Sequence, residues 1–340
     1  MPARIGTTRT QLTLQAAFGE RPFTAADAAA AGVTRRQLQG AVGVGKIRHL
    51  SRHLYAVTES DLRLRALRHQ QDLGDRGIRA PAGARCAAEI WGVPVIGKSG
   101  PLPPSMPMLW VPPSTVRRGV RGGVHYGVAD IPEAHVVTLP DGLVMTSPLR
   151  TAVDVVRLSR LPRRLALASI VGGLRAHAAY TADIDPRDSG AITELVQCAD
   201  RRVALREELR AVAAACPSWG MSSVWRCLSV ADPRLENALE SISFGCFLDA
   251  GVPLPVPQVW LQGASGRWWR VDFWWEDLGI IGEADGMVKY ADRQALVEEK
   301  ARQLDLEAPG RSVHRWGWSN ALRDGDPLMG QFLERLGTCA

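Results

Sequence analysis

The sequence is poor in lysine, in paired cysteines and in long apolar runs. Its six cysteines are scattered, without the short paired spacings that bind zinc, so neither a structural metal nor a disulfide framework is predicted. The longest nearly apolar run, residues 165–174, is about half of what a membrane-spanning helix requires. Basic residues near the start are not followed by an apolar signal region with a cleavage site. We therefore expect a cytoplasmic protein.

The remaining composition is that of a globular chain. Apolar residues make up 46% of the 340 residues and charged residues 22%, which is enough to bury a sizeable core. The length favours two or three domains over one large one. We predict an α/β multidomain protein with an N-terminal domain at 1–60, a mixed, mostly helical middle region at 61–230 and a C-terminal domain at 231–340.

Basic charge is concentrated at the N-terminal end. The whole chain carries a net charge of +6, yet residues 1–70 alone hold eleven Lys/Arg against four Asp/Glu, an excess of seven basic charges. Arginine content by itself is weak evidence, because only four of the 41 basic residues are lysine and codon bias can favour arginine. The asymmetry is stronger evidence, because a basic segment at one end is typical of a nucleic-acid-binding module.

The pattern within residues 10–57 predicts a winged helix-turn-helix domain. An amphipathic helix ends before Gly19, and Thr24 and Thr34 are suited to cap two further helices, the second of which begins with basic residues. A two-stranded ribbon follows. We expect double-stranded DNA as the partner, with Arg36 and Gln37 at base edges and phosphate contacts from Arg35, Lys46, Arg48 and Arg52. The alternative is a small helical docking domain with solvated arginines.

The segment FTAADAAAAGVTRRQLQGAVGVGKIRHLSRHLYAV also resembles the N-terminal domain of the AbiEi family, the antitoxins of type IV toxin-antitoxin systems. The middle segment HVVTLPDGLVMTSPLRTAVDVVR resembles the middle region of AbiEi-type proteins. This resemblance implies a winged helix before a larger C-terminal domain, and a DNA-binding autorepressor. One departure is His53, which stands where the wing usually has glycine.

Within the middle region, Pro140-Asp141-Gly142 predicts a hairpin turn, and Ser147-Pro148 predicts the start of a helix. That helix carries Asp154 between two valines. We interpret Asp154 as a helix-face carboxylate and assign it no chemistry. The sequence does not indicate what this region binds.

The C-terminal region predicts a helix, three strands, a second helix and a fourth strand. Asp232 and Pro233 are suited to begin the first helix and Gly251 to end it. Strand-like segments VPQVWL, RWWRVDFWW and LGIIGEADG follow, and then the polar helix DRQALVEEKARQLDLE and the strand SVHRWGW. This αβββαβ order is typical of the restriction-endonuclease-like fold.

Four acidic residues in this region are candidate magnesium ligands. Asp272 and Glu283 lie on successive strands and can meet at one end of the sheet, and Asp285 shares a face with Glu283 because strand side chains alternate. Glu240 can reach them from the preceding helix. Mg²⁺ held by carboxylates can neutralise a scissile phosphate and activate water. The alternative is that these acids pair with the nearby Arg267, Arg270 and Arg302.

The segments ADPRLENALES, PQVWL, RVDFWW, GEADGMVKY, EEKARQLDL and SVHRWGW resemble, in order, a C-terminal domain found in some actinobacterial-type AbiEi-like proteins. That domain is shared with very-short-patch-repair-like nucleases of the PD-(D/E)XK superfamily. The resemblance implies that Glu240, Asp272 and Glu283 are the site carboxylates. The usual lysine two residues after the strand acid is Asp285 here, so Lys289 or Lys300 is the candidate replacement.

These patterns favour a DNA-binding protein with a magnesium-dependent endonuclease-like domain, in a defence or toxin-antitoxin context. The alternative is a non-enzymatic AbiEi-type antitoxin and transcriptional autorepressor, whose partner system would include a nucleotidyltransferase-like toxin. A third possibility is a protein-interaction module without either activity.

Overall fold

The computed structural model describes residues 3–18, 23–44, 46–51, 54–57, 62–102, 106–121, 123–285 and 293–338. Two compact units are present. The first consists of Met1–Ile90 and Pro103–Ser147, and the second of Trp91–Leu102 and Pro148–Ala340. The division at 147 lies inside the predicted middle region, 61–230, and the three-part functional division stays a prediction.

The first unit begins with three helices and a small antiparallel sheet. The elements are α1 (Ala3–Phe18), β1 (Phe23–Thr24), α2 (Ala25–Ala30), α3 (Arg35–Gly43), β2 (Arg48–Ser51) and β3 (Leu54–Ala56). The strands are ordered β1-β3-β2. They share one apolar core, formed by Leu14, Phe23, Ala28, Val33, Leu38, Ala41, Ile47 and Val57.

Two threonines determine where the second and third helices begin. Thr24 and Thr34 each accept a hydrogen bond from the backbone N–H three residues later, and the side chains of Asp27 and Gln37 bond back to the cap. Such capping is worth about 1 kcal/mol per helix. Both predicted N-caps are confirmed. The strand β1 was not predicted, because two residues carry no periodicity.

The rest of the first unit combines two helices with two small sheets. Strands β6 and β8 pair in parallel and β8 and β7 antiparallel, while β9 and β10 form the hairpin predicted around Pro140-Asp141-Gly142. In chain order the elements are α4 (Leu62–Gly74), α5 (Ala84–Trp91), β4 (Ile96–Gly97), β5 (Gly100–Pro101), β6 (Met108–Val111), β7 (Gly119–Arg121), β8 (Val124–Val128), a 3₁₀ turn (Glu133–His135), β9 (Val136–Thr138) and β10 (Val144–Thr146). The short β4–β5 hairpin belongs to the second unit.

A helical layer forms the first half of the second unit. Helices α7 and α11 approach closely at Gly245, where an added Cβ would lie 2.5 Å from the Cα of Arg164. A larger residue at this position would force the helices apart. The helices are α6 (Pro148–Ser159), α7 (Arg163–Thr181), α8 (Ser189–Gln197), α9 (Ala199–Ala214), α10 (Ser222–Leu228) and α11 (Ala238–Ala250).

Helix α11 begins later than the sequence predicts. Its N-cap is Asn237, whose side-chain oxygen accepts a hydrogen bond from the Glu240 backbone N–H. The prediction of Asp232 as the N-cap was wrong, because its carboxylate instead binds Arg234 at 2.7 Å. The predicted C-terminal stop at Gly251 is confirmed, since this glycine has φ of +68°.

Helix α6 carries a fully buried charge cluster. Asp154 accepts hydrogen bonds from Arg150 at 3.0 Å and Arg157 at 2.7 Å, and all three side chains are at most 1% exposed. Buried ions require such pairing, since desolvation costs several kcal/mol per ion. Asp154 thus lies on a buried face of α6 and binds two arginines, a pairing that the sequence did not indicate.

The second unit ends in a four-stranded sheet between two helices. The strands are ordered β11-β12-β13-β14, with two antiparallel pairs followed by a parallel one. Phe247 of α11 contacts Phe273 on one face, and Leu306 of α12 packs with Ile281 on the other. The elements are β11 (Val256–Gln262), β12 (Trp268–Trp275), a 3₁₀ turn (Glu276–Leu278), β13 (Ile280–Ala284), α12 (Arg293–Glu307), β14 (Ser312–Trp316), α13 (Trp318–Leu322) and α14 (Pro327–Thr338).

The protein is therefore a mixed α/β chain. The helix–three strands–helix–strand order that the sequence predicts for the C-terminal region is present, from α11 to β14. Among the described helices, none is long and apolar enough to cross a bilayer.

Candidate functional site

The predicted carboxylates lie where β12 adjoins β13. Phe273 pairs with Gly282 across these strands, so Asp272 and Glu283 are the next residues along. A carboxylate oxygen of Asp272 accepts a hydrogen bond from the Ala284 backbone N–H at 2.8 Å. Asp285 follows directly after β13. The two strands thus bring three of the four predicted acids together at the C-terminal end of β13, beside the middle of β12.

The fourth acid, Glu240, is connected to Asp272 through Gln258 of β11. The buried Gln258 amide donates to a Glu240 oxygen at 3.0 Å and to an Asp272 oxygen at 3.2 Å. Gln258 was not predicted as a site residue. The available signal was a polar side chain within the apolar strand VPQVWL.

The backbone is irregular at the same place. Gln258 has φ of +55°, in the left-handed region that is costly for residues other than glycine. Val271 packs on the α12 side of the sheet, whereas Phe273 contacts α11, although residues two apart in a strand normally share a face. Strained residues of this kind cluster at functional sites. The strand irregularity orients Asp272 and Gln258 toward each other.

Two arginines bind the remaining acids. Arg302 of α12 donates to a Glu283 oxygen at 2.9 Å and to the Arg270 carbonyl at 2.7 Å. Arg315 of β14 binds Asp285 at 3.0 Å. The structure therefore separates the acids into a Glu240–Gln258–Asp272 chain and two arginine pairs. The assignment of these acids as ligands stays a prediction.

Burial and mutual repulsion raise the pKa values of Glu240, Asp272 and Glu283. Burial, and then the charge of Asp272, raises the pKa of Glu240 to about 8 and that of Glu283 to about 7. Burial also raises the pKa of Asp272, with a further contribution from Asp285. A cation bound among these groups would relieve the repulsion, because opposite charge favours ionised carboxylates.

The acids present suit a hard divalent ion. Mg²⁺ prefers oxygen ligands and is usually held by only one or two carboxylates together with water. Within the ranges that the structure describes, no three His, Cys, Asp or Glu side chains are gathered as a ready-made metal site. The carboxylates of Asp272 and Glu283 offer oxygen ligands of the type that Mg²⁺ prefers, and their role as ligands stays a prediction.

Neither candidate lysine is shown at the acids. Lys300 is exposed on α12, two residues before the Arg302 that binds Glu283. Lys289 lies outside the described residues. The choice between them stays a prediction.

The candidate DNA-reading residues that the structure describes lie at the start of α3 and in or just before β2. Arg35 and Arg36 are exposed in the first turn of α3, and Lys46 and Arg48 are exposed at the ribbon. Gln37 is exposed too, but its amide oxygen accepts from the Thr34 backbone N–H at 2.8 Å and so belongs to the capping box. Arg52 and His53 lie outside the described residues.

Comparison with known proteins gives relatives without a stated activity. No protein-family model matches the chain. The chain is 30% identical over 172 residues to two curated proteins of Mycobacterium tuberculosis, "Uncharacterized protein MT2308" of strain CDC 1551 / Oshkosh and "Uncharacterized protein Rv2248" of strain ATCC 25618 / H37Rv. The match covers 51% of this chain and 54% of each relative. The chain thus spans about half the length of the curated relatives it matches.

The raised pKa of Glu240 predicts a pH-dependent stability in metal-free buffer. In the folded state the Glu240 carboxyl group keeps its proton up to about pH 8. In the unfolded state the same group releases its proton near the ordinary pKa of 4.5. Stability is therefore lost as pH rises from 4.5 to 8. We expect Glu240→Gln to flatten this loss by a few kcal/mol, since each pKa unit corresponds to about 1.4 kcal/mol. Urea unfolding at pH 5 and pH 8 in EDTA measures it. An unchanged pH dependence in the variant would contradict the prediction.

Proposed function

We propose that this protein binds duplex DNA through an N-terminal winged helix and that its C-terminal αβββαβ region is a restriction-endonuclease-like domain that hydrolyses phosphodiesters with Mg²⁺. The observation that carries the nuclease proposal is the strained Gln258, which joins Glu240 to Asp272 beside Glu283. The αβββαβ order of the elements supports the fold-family assignment.

Each residue has a defined part in this proposal. Asp272 and Glu283 would hold the ion, which supplies charge neutralisation at the phosphodiester and activates a water molecule. Gln258 fixes the orientation of Asp272 through its amide, while the backbone N–H of Ala284 holds the other oxygen. Arg302 keeps Glu283 in place from α12.

The test is cleavage by the purified full chain. Supercoiled plasmid and single-stranded DNA are incubated with Mg²⁺, with Mn²⁺ and with EDTA. We expect nicking or cleavage with either metal and none with EDTA. Cleavage that persists in EDTA would contradict the metal-dependent mechanism.

A second candidate function is a non-enzymatic antitoxin and transcriptional repressor. The specific observation in its favour is that arginines bind Glu283 and Asp285, at a site where the usual lysine is absent. In this proposal the C-terminal domain is a binding surface, for example for a nucleotidyltransferase-like toxin. A chain that cleaves nothing with either metal but represses its own promoter would support it.

The winged-helix proposal makes a separate prediction about DNA binding. The affinity of the full chain for duplex DNA should fall as salt rises, because phosphate contacts release counterions. We expect Arg36→Ala to relax sequence preference, with a loss of about 1–3 kcal/mol on the preferred site. Arg48→Ala should weaken binding to all duplexes alike. Fluorescence anisotropy with specific and random duplexes distinguishes the two effects, and salt-independent binding would contradict them.

A further inference from the structure

A concave surface in the first unit carries arginines that the winged helix does not account for. The surface, called here the arginine pocket, has a volume of about 490 Å³ and is lined by Arg76, Arg117 and Arg121 together with Thr115 and Tyr126. The three arginines are exposed. They come from the segment after α4 and from the region around β7. The fold thus gathers basic side chains that lie far apart in the sequence.

These arginines differ from their neighbours in their pairing. Elsewhere in this unit, Arg63 binds Asp141 and Arg68 binds Asp27. By contrast, the structure shows no ion pair to an acid for Arg76, Arg117 or Arg121 in the part of the chain it describes. Their charges remain available to an anion from solution.

The hydroxyl of Tyr126 adds a neutral donor to the pocket. Tyr126 is 9% exposed, and within the described ranges its hydroxyl has no hydrogen-bond partner. Burial, and then the charge of Asp72, raises the pKa of Tyr126, so its hydroxyl stays protonated near neutral pH. A protonated phenol can donate to a phosphate oxygen.

We infer that the arginine pocket binds the phosphate backbone of duplex DNA and extends the protein's footprint beyond the winged helix. Arginine forks match phosphate oxygens, and such contacts position a protein without reading sequence. The open, exposed setting of the side chains suits a polyanion that passes across the surface. This inference rests on the proposed DNA binding and adds a second contact site to it.

The position of the pocket along the chain is compatible with one duplex contacting both sites. Arg68 of α4 binds Asp27 of the winged helix at 3.2 Å, and Arg65 of the same helix donates to the Gly123 carbonyl beside β8 at 3.3 Å. Helix α4 has 13 residues and so a length of about 20 Å. A duplex of 30 base pairs is about 100 Å long at 3.4 Å per pair and is ample for both contacts.

The test compares salt dependence among variants of the full chain. The probe is a random-sequence 30-base-pair duplex, whose binding needs no knowledge of the specific site. The triple variant R76A/R117A/R121A should lower the magnitude of the slope of log K against log [salt] by about 2.7, or about 0.9 for each lost phosphate contact. A matched control, R187A/R210A/R226A, removes the same charge from exposed positions of the second unit and should leave the slope unchanged.

Two further variants separate this inference from the winged-helix proposal. Tyr126→Phe should weaken binding several-fold with an unchanged slope, because it removes a neutral donor. The double variant Lys46→Ala/Arg48→Ala removes two proposed phosphate contacts of the winged helix and leaves the arginine pocket intact. A normal slope in the pocket variant beside a reduced slope in the Lys46/Arg48 variant overturns the pocket and leaves the winged helix standing. A reduced slope in the pocket variant beside a normal slope in the Lys46/Arg48 variant supports the pocket and overturns the winged helix. Absence of binding by the unsubstituted chain overturns both.

Discussion

Asp272→Asn is expected to reduce magnesium-dependent cleavage by more than about 100-fold. Losing an outer partner of a metal ligand typically costs 10–100-fold, and removing a ligand charge should cost more. The substitution keeps the size of the side chain and an oxygen that can accept from the Ala284 N–H. A loss of activity would therefore report on the carboxylate charge instead of the fold. Initial rates of plasmid nicking measure it.

The control for this prediction is Asp277→Asn, the same change at an exposed turn between β12 and β13. This variant should cleave at the unchanged rate.

A second measurement of metal binding does not depend on cleavage. Mg²⁺ should raise the melting temperature of the unsubstituted chain and not that of Asp272→Asn, because a ligand that binds only the folded state stabilises it. Undiminished cleavage by Asp272→Asn would exclude this residue as a metal ligand.

Local elements of the fold were predictable because their signals are local. The caps at Thr24 and Thr34 need only a hydroxyl and a polar residue three positions later, and both formed as expected. The hairpin around Gly142, with φ of +86°, likewise follows from a short turn sequence. Such features depend on a few neighbouring residues, so the sequence specifies them directly.

The start of α11 shows where local signals become ambiguous. Asp232 and Asn237 are both good N-cap residues, and each has a suitable sequence context. Asn237 is used, and the Glu240 carboxylate at the third helical position accepts a hydrogen bond from the Glu236 backbone N–H at 2.8 Å. Asp232 instead binds Arg234. In the sequence, Pro233 favours a start at Asp232, whereas the spacing of Asn237 and Glu240 favours the later start.

The candidate site was predictable in its strands and not in its pairings. Two successive strands joined by a short turn place Asp272 and Glu283 as neighbours. The contacts of Glu283 and Asp285 depend on Arg302 and Arg315, which come from later elements. The positive φ of Gln258 also has no signature in a single sequence. These features arise from tertiary packing, so periodicity does not reveal them.

Asp154→Ala is expected to destabilise the protein by about 3–5 kcal/mol, the usual cost of removing one partner from a buried ion pair. The loss is large because Arg150 and Arg157, both 1% exposed, would keep their charges away from water without this carboxylate. Urea unfolding of the full chain measures the change.

Two comparisons determine whether buried charge is the cause of that loss. Glu207→Ala breaks the exposed pair with Arg210 on α9 and should cost at most about 1 kcal/mol. The triple variant R150M/D154L/R157M replaces all three charges by apolar side chains and should recover most of the stability lost in Asp154→Ala, since buried ion pairs are often replaceable by well-packed apolar groups. If the triple variant is instead less stable than Asp154→Ala, the cluster stabilises the fold through its hydrogen bonds, and desolvated charge is not the dominant cost of the single substitution.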